Sequence, residues 1–123
     1  MRRLLKAFAA VALGVWISAS VAHHSGAMFD RAKVVTLVGT VKAYEYMSPH
    51  SWIRLLVADP AGVVVEWDIE LAGMGIKPQQ LTVGEKVTVR GHPLRDGRRG
   101  ASLIDVTFPD GRVIKQEHPG TTN

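Results

Sequence analysis

The strongest constraint on the fold is the alternation of apolar and polar residues at positions 63–70. One face carries Val63, Val65, Trp67 and Ile69, and the other carries Val64, Glu66, Asp68 and Glu70. Because successive side chains of a β-strand point to opposite faces, this pattern predicts a half-buried strand. The preceding segment Asp59-Pro60-Ala61-Gly62 has the composition of a tight turn, so we expect a hairpin with the run at 52–58.

The same periodicity predicts four other strands, which cover residues 34–43, 52–58, 86–91 and 101–108. Between the third and fourth strands, glycine and proline exclude a long helix and leave one helical turn at 77–81. Five half-polar strands have costly edges unless the sheet closes. We therefore predict an all-β fold, a small five-stranded OB-like antiparallel barrel with a short helical or irregular crossover. An open β-meander packed under the amino-terminal arm is the alternative.

Gly39 lies inside the first predicted strand. A glycine in a strand interior often accompanies a bulge or a sharp coil of the sheet. We expect such a distortion there.

The first 22 residues have the pattern of a secretory signal peptide. A basic start is followed by an apolar run at 7–17 and by the small residues Ser20-Val21-Ala22. The apolar run is shorter than the roughly 20 residues that cross a bilayer, which favours cleavage over an uncleaved anchor. We predict a periplasmic or secreted protein, with no membrane span after cleavage. Its expected parts are an arm at 23–33, the barrel at 34–115 and a flexible tail at 116–123.

Composition excludes several classes of function. The absence of cysteine rules out disulfides, thiolate metal sites and a lipid anchor on cysteine. Removal of the leader takes away three of the 15 basic residues and none of the 11 acidic ones, which leaves a net charge of +1. A nucleic-acid-binding role, which needs a strongly basic face, is therefore not expected.

The histidines suggest a copper site. Cleavage after Ala22 makes His23 the first residue, so its α-amine and ring Nδ1 can chelate one ion, and His50 can add a third nitrogen of the kind that Cu(II) prefers. His24 or His92 are further candidate ligands. The competing interpretation is a solvated terminus that binds nothing.

The segment 47–52 concentrates reactive side chains around one proline. Met47 offers a soft sulfur ligand for Cu(I), and Trp52 can cover a cation with its ring. Packing at the end of the barrel explains the same residues without a ligand. The acids at 66, 68 and 70 likewise fit either a hard cation or a solvated outer face.

Several motifs carry a family resemblance. They are Ala22-His23-His24-Ser25, Ala27-Met28-Phe29-Asp30, Val38-Gly39-Thr40-Val41, Ser48-Pro49-His50-Ser51-Trp52-Ile53 and Gly91-His92-Pro93-Leu94-Arg95-Asp96-Gly97. They resemble a family of small exported bacterial proteins classed as a domain of unknown function, over nearly the whole mature chain. The family typically has asparagine where this chain has Ser48, and its members often have a longer segment than the one at 71–83. The resemblance implies export and the barrel, and it brings no established activity.

Met47, His50 and Trp52 also resemble, in type but not in order or spacing, the ligands of small OB-fold periplasmic copper chaperones. Two functions follow as expectations. The first is a periplasmic module that buffers or delivers copper. The alternative is a metal-free module that binds an oligosaccharide, a peptide or a partner protein on a barrel face lined by Trp52, Tyr44, Tyr46 and the loop at 95–99. No nucleophile-elbow or phosphate-binding motif is present, and the pattern does not favour an enzyme.

Overall fold

The alternating runs form strands, and glycine- and proline-rich segments form the turns between them. The computed structural model describes residues 26–73 and 75–116; the predicted signal peptide, His23, His24 and the tail from residue 117 lie outside the described residues. The strands are β1 (Val35–Glu45), β2 (His50–Ala58), β3 (Val64–Ala72), β4 (Lys86–Pro93), β5 (Gly100–Thr107) and β6 (Val113–Lys115), and 3-10 turns cover Gly26–Met28 and Pro78–Gln80. None of the helices described there has the length and apolar character needed to cross a bilayer.

The first five strands close into a barrel. Neighbouring strands follow the order β3-β2-β1-β4-β5-β6, and β3 also pairs with β5. That closing pair is parallel and covers residues 68–70 of β3, whereas the other pairs are antiparallel. The structure therefore confirms an all-β OB-like barrel and excludes the open meander. The barrel is mixed rather than wholly antiparallel, and β6 adds a short sixth strand beside β5.

Gly39 is the point at which β1 passes from one neighbour to the other. The first part of β1 pairs with β4 and the last part with β2, and Gly39 has a partner on both sides, Val57 and Val87. A Cβ atom at Gly39 would lie 2.5 Å from the carbonyl oxygen of Leu56. The glycine thus permits a close approach of β2, and the bulge of β1 lies further along.

The bulge changes which residues of β1 face inward. The register with β2 shifts between Val41 and Ala43, so the next inward residue after Val41 is Tyr44 and not Ala43, as strict alternation would have it. The Tyr44 ring packs against the core, and its hydroxyl donates to the carbonyl of Ile76. Burial raises the pKa of Tyr44, and the net shift is upward. Tyr44 therefore belongs to the barrel interior and not to an exposed binding face.

The core draws on every barrel strand and on the crossover. Its members are Leu37, Val41, Ile53, Leu55, Val57, Ile69, Leu71, Ile76, Leu81, Val87, Val89, Ala101, Leu103, Val106 and Phe108. Ile76 and Leu81 flank the crossover turn, so this short segment is packed into the core. The inward face of β2 includes Ile53, Leu55 and Val57, as the alternation predicted.

We predict that Gly39→Ala destabilises the barrel. The new methyl group must displace a backbone carbonyl of β2, and overpacking of this kind costs about 1–3 kcal/mol. Urea denaturation should show that loss of unfolding free energy. Gly75→Ala is the matched control, since the nearest described atom to its Cβ is 3.8 Å away. Equal stability of the Gly39→Ala and unmodified proteins would contradict the close approach.

Candidate functional site: the cleft over β2 and β3

Buried Ser51 anchors the β1–β2 loop, residues 46–49. Its hydroxyl oxygen accepts from the amide of Met47 at 3.2 Å and lies 2.9 Å from the Met47 carbonyl and 3.0 Å from the Gly73 carbonyl. The hydroxyl proton can serve either carbonyl. The Ser48–Pro49 peptide in this loop is cis. These contacts tie the loop to the end of β3 and fix the start of β2.

Each acid on the outer face of β3 lies against a basic side chain of β2 or, one strand further, of β1. The pairs are Glu66 with Lys42 at 2.6 Å, Asp68 with Arg54 at 2.6 Å and Glu70 with His50 at 2.8 Å. In residues 26–73 and 75–116, no group of three or more histidines and acids is placed to hold a metal ion. The carboxylates of Glu66 and Asp68 form ion pairs with Lys42 and Arg54, and that of Glu70 contacts the His50 ring.

Arg54 connects the acidic row to the indole of Trp52. Its guanidinium contacts Asp68 and, at 2.9 Å, Glu45, and it lies 5.3 Å from the centre of the Trp52 ring. Burial lowers the pKa of Arg54, but the two carboxylates outweigh it and raise the pKa above its ordinary value. The arginine stays charged and supports one side of the indole.

Glu70 and His50 form a pair at the end of this row. The Glu70 side chain is only 11% exposed, whereas that of His50 is 44% exposed. Their Nδ1 and Oε1 atoms are at ion-pair distance but are not aligned as a hydrogen bond. The second ring nitrogen, Nε2, has no partner among the described residues, so it is the atom of His50 available to a ligand.

A cleft of about 330 Å³ lies above β3. The indole of Trp52 and the acidic row form one wall, and the β4–β5 loop and the amino-terminal arm form the other. Its lining residues are Met28, Phe29, Trp52, Glu66, Asp68, Glu70, Leu94, Arg98, Arg99 and Gly100. In OB-folds the face of strands 2 and 3 commonly binds ligands between the β1–β2 and β4–β5 loops. The cleft lies on that face, beside the β4–β5 loop.

The arm is attached to the β4–β5 loop, residues 94–99. Phe29 is buried and forms a β-bridge with Leu94. The backbone amide of Arg95 donates to the carbonyl of Met28 at 2.9 Å, and its Nε donates to the carbonyl of Ala27 at 3.0 Å. These bonds place Met28 at the cleft.

The two arginines of the loop that line the cleft, Arg98 and Arg99, differ in their surroundings. Arg98 donates to Asp96 through its backbone amide and through Nε, at 3.0 and 2.7 Å. These bonds lower the pKa of Asp96. The side chain of Arg99 has no ion pair or hydrogen bond within the described ranges and is exposed, so its charge is available at the cleft.

Comparison with known proteins gives a family. Residues 11–103 match the model of a family of unknown function, DUF6152. The chain belongs to this family. The match confirms the resemblance to a domain of unknown function, and it includes every residue that lines the cleft. No curated protein and no solved structure gives a significant match.

The structure brings two predicted site residues of this DUF6152 chain to the cleft region. Trp52 lines the cleft, and His50 contacts Glu70, which lines it. Met47 and Tyr46 are exposed on the β1–β2 loop and are not among the lining residues. The predicted contribution of Tyr46 to a shared binding face therefore does not extend to the cleft.

His92 lies on the same outer surface as His50 but at a distance from it. Glu70 pairs with Ser102 of β5, and Ser102 pairs with His92 of β4. Two strand spacings therefore separate His92 from Glu70, about 10 Å. The Nδ1 of His92 also lies 2.9 Å from the carbonyl of Lys33, to which it can donate. His23 and His24 lie outside the described residues.

The sequence predicted some of the site residues, but it did not predict which residues they contact. The contact of Glu70 with His50 and the place of Leu94 beside the arm were not expected. The contact of Glu70 with His50 could have been predicted from the hairpin turn at 59–62. The turn fixes the register of β2 on β3, which brings residue 50 beside residue 72 and therefore diagonally next to residue 70.

Proposed function

We propose that this chain is an exported, periplasmic binding protein that holds its ligand in the cleft over β2 and β3. The observation that carries the proposal is a partly exposed indole in a cleft on the face of β2 and β3, bounded by the β4–β5 loop and the amino-terminal arm. Aromatic side chains in such clefts supply a large apolar contact, and charged groups around them orient the ligand. The leader sequence supports export.

The charges of the cleft favour recognition rather than metal chelation. Its carboxylates already have basic partners, and the arginines of the β4–β5 loop face them across the gap. A ligand with an apolar face and polar groups of both signs fits this arrangement. An oligosaccharide, a peptide or a segment of a partner protein has that chemistry.

We predict that Trp52→Ala removes most of the binding. Arrays of oligosaccharides and of peptides, incubated with the fluorescently labelled protein, identify the ligand for this measurement. Loss of the indole contact should lower the affinity for that ligand at least tenfold, which corresponds to about 1.4 kcal/mol of binding free energy.

Tyr46→Ala is the control, because it removes an exposed aromatic ring that does not line the cleft. It should bind as the unmodified protein does. Equal affinity of the Trp52→Ala variant and the unmodified protein would exclude the cleft as the site.

Copper binding is the second candidate function, and one observation favours it. Glu70 contacts Nδ1 of His50 and leaves Nε2 unpartnered among the described residues. A buried carboxylate behind a histidine is the usual support of a metal-binding imidazole. Met28 of the arm and Glu70 line the same cleft, so the arm is attached at this face five residues after His23 in the sequence. The proposed ligands are the amine and ring of His23 together with Nε2 of His50.

Titration of Cu(II) into the processed protein tests this candidate. We expect His50→Ala, or one extra residue ahead of His23, to weaken binding at least tenfold, because each removes a nitrogen ligand. His92→Ala should have a smaller effect, since two strand spacings, about 10 Å, separate His92 from Glu70 and the His50 end of the cleft. Binding that is insensitive to both changes would exclude the site.

A further inference from the structure

One edge of β3 is only partly covered. β2 pairs with β3 along its whole length, Val64–Ala72. β5 pairs with the other edge over residues 68–70 alone. No other described strand lies beside residues 64–67 on that side. We call this stretch the open edge.

The direction of the main-chain groups of β3 follows from bonds at its two ends. The carbonyl of Val63 accepts from the amide of Asp59 at 2.8 Å, and the amide of Gly73 donates to the carbonyl of Pro49 at 2.8 Å. In both bonds an odd-numbered residue at an end of β3 points its main-chain group towards β2. Because peptide groups alternate in direction along a strand, the even-numbered residues face the other edge.

The bond next to the open edge agrees with this alternation. The amide of Asp68 donates to the carbonyl of Arg99 at 3.1 Å, away from β2. By the same period of two, the N–H and C=O groups of Val64 and Glu66 point to the open edge. No backbone hydrogen bond within the described ranges reaches them there. They present the spacing that an additional strand needs.

The β4–β5 loop turns away before it reaches the open edge. The amide of Gly100 donates to the carbonyl of Arg98, and the amide of Arg98 donates to the carboxylate of Asp96. These amides of the loop bond within its own turn and not to β3. The cleft separates the loop from Glu66.

Side chains around the open edge define what fits beside it. Val65 and Trp67 face the barrel interior but remain partly exposed, so an apolar neighbour would cover them. Glu66 faces outward between them, and its side chain is 38% exposed despite its contact with Lys42. A strand beside them would carry a basic residue between two apolar residues.

We propose that the cleft binds an extended peptide of a partner protein, added as a strand at the open edge of β3. Main-chain bonds to Val64 and Glu66 give the affinity, and an apolar–basic–apolar triplet opposite residues 65–67 gives the specificity. This inference rests on the proposed function of the cleft and names its ligand class. A second copy of this chain is a poor occupant, since two such edges in antiparallel pairing bring their acidic rows together.

A phage-displayed library of random decapeptides, selected on the full chain, tests the proposal. We expect enriched peptides to share the apolar–basic–apolar triplet. Glu66→Pro removes the main-chain donor, and proline is tolerated at a strand edge, so affinity should fall at least tenfold. Glu66→Ala keeps the N–H and loses only the pairing of an exposed carboxylate with the basic residue of the peptide, so it should lose clearly less affinity than Glu66→Pro. Fluorescence anisotropy of the labelled peptides measures both.

A second measurement does not depend on the folding of any variant. N-methylation of alternate residues in an enriched peptide blocks its main-chain donors and keeps its side chains. Two such peptides are possible, one N-methylated at the odd positions and one at the even positions, and we call them the two registers. With the unmodified protein, we expect one of them to bind at least tenfold more weakly than the parent peptide. Equal affinity of both registers and the parent overturns strand addition, as does enrichment of triplets with an acidic central residue.

The outcome also separates this inference from the proposed function. Oligosaccharides that bind in a Trp52-dependent manner, without any enriched peptide, overturn strand addition and leave the cleft as the binding site. Absence of both peptide and oligosaccharide binding overturns the two together.

Discussion

The short parallel pairing of β3 with β5 is the contact on which this structure depends. It joins residues 68–70 to residues 100–102 and closes the five strands into a barrel. Because the pairing stops at Asp68, residues 64–67 of β3 have an edge without a neighbouring strand in the described chain. The β4–β5 loop ends beside the same residue, where the Arg99 carbonyl accepts from the amide of Asp68. One local contact thus both completes the core and opens the cleft above it.

The charges around the cleft are arranged by strand register. The hairpin of β2 and β3 places Arg54 opposite Asp68 and Trp52 opposite Glu70. Arg54 then contacts both Asp68 and the indole, which holds Trp52 at the wall of the cleft. Opposite charges on neighbouring strands contribute modestly to stability. Their larger effect here is to fix the positions of the groups that a ligand meets.

Periodicity predicted the strands because each has one buried and one exposed face, and the turn at 59–62 determined the register of its hairpin. The inward position of Tyr44 was not predictable, because the bulge in β1 leaves no mark on the local alternation. The parallel β3–β5 pair joins segments about 30 residues apart in the chain, and no turn sets its register. For this reason Trp52 and His50 were identified as candidates from the sequence, whereas the cleft that Trp52 lines was not.

Native-state amide hydrogen exchange of the free protein is the most direct test of the open edge. The amides of Val65 and Trp67 bond to β2, whereas those of Val64 and Glu66 point to the side without a described strand. After correction for intrinsic rates, we predict at least tenfold faster exchange at Val64 and Glu66 than at Val65 and Trp67. Equal protection of all four amides would contradict the open edge and the cleft built on it.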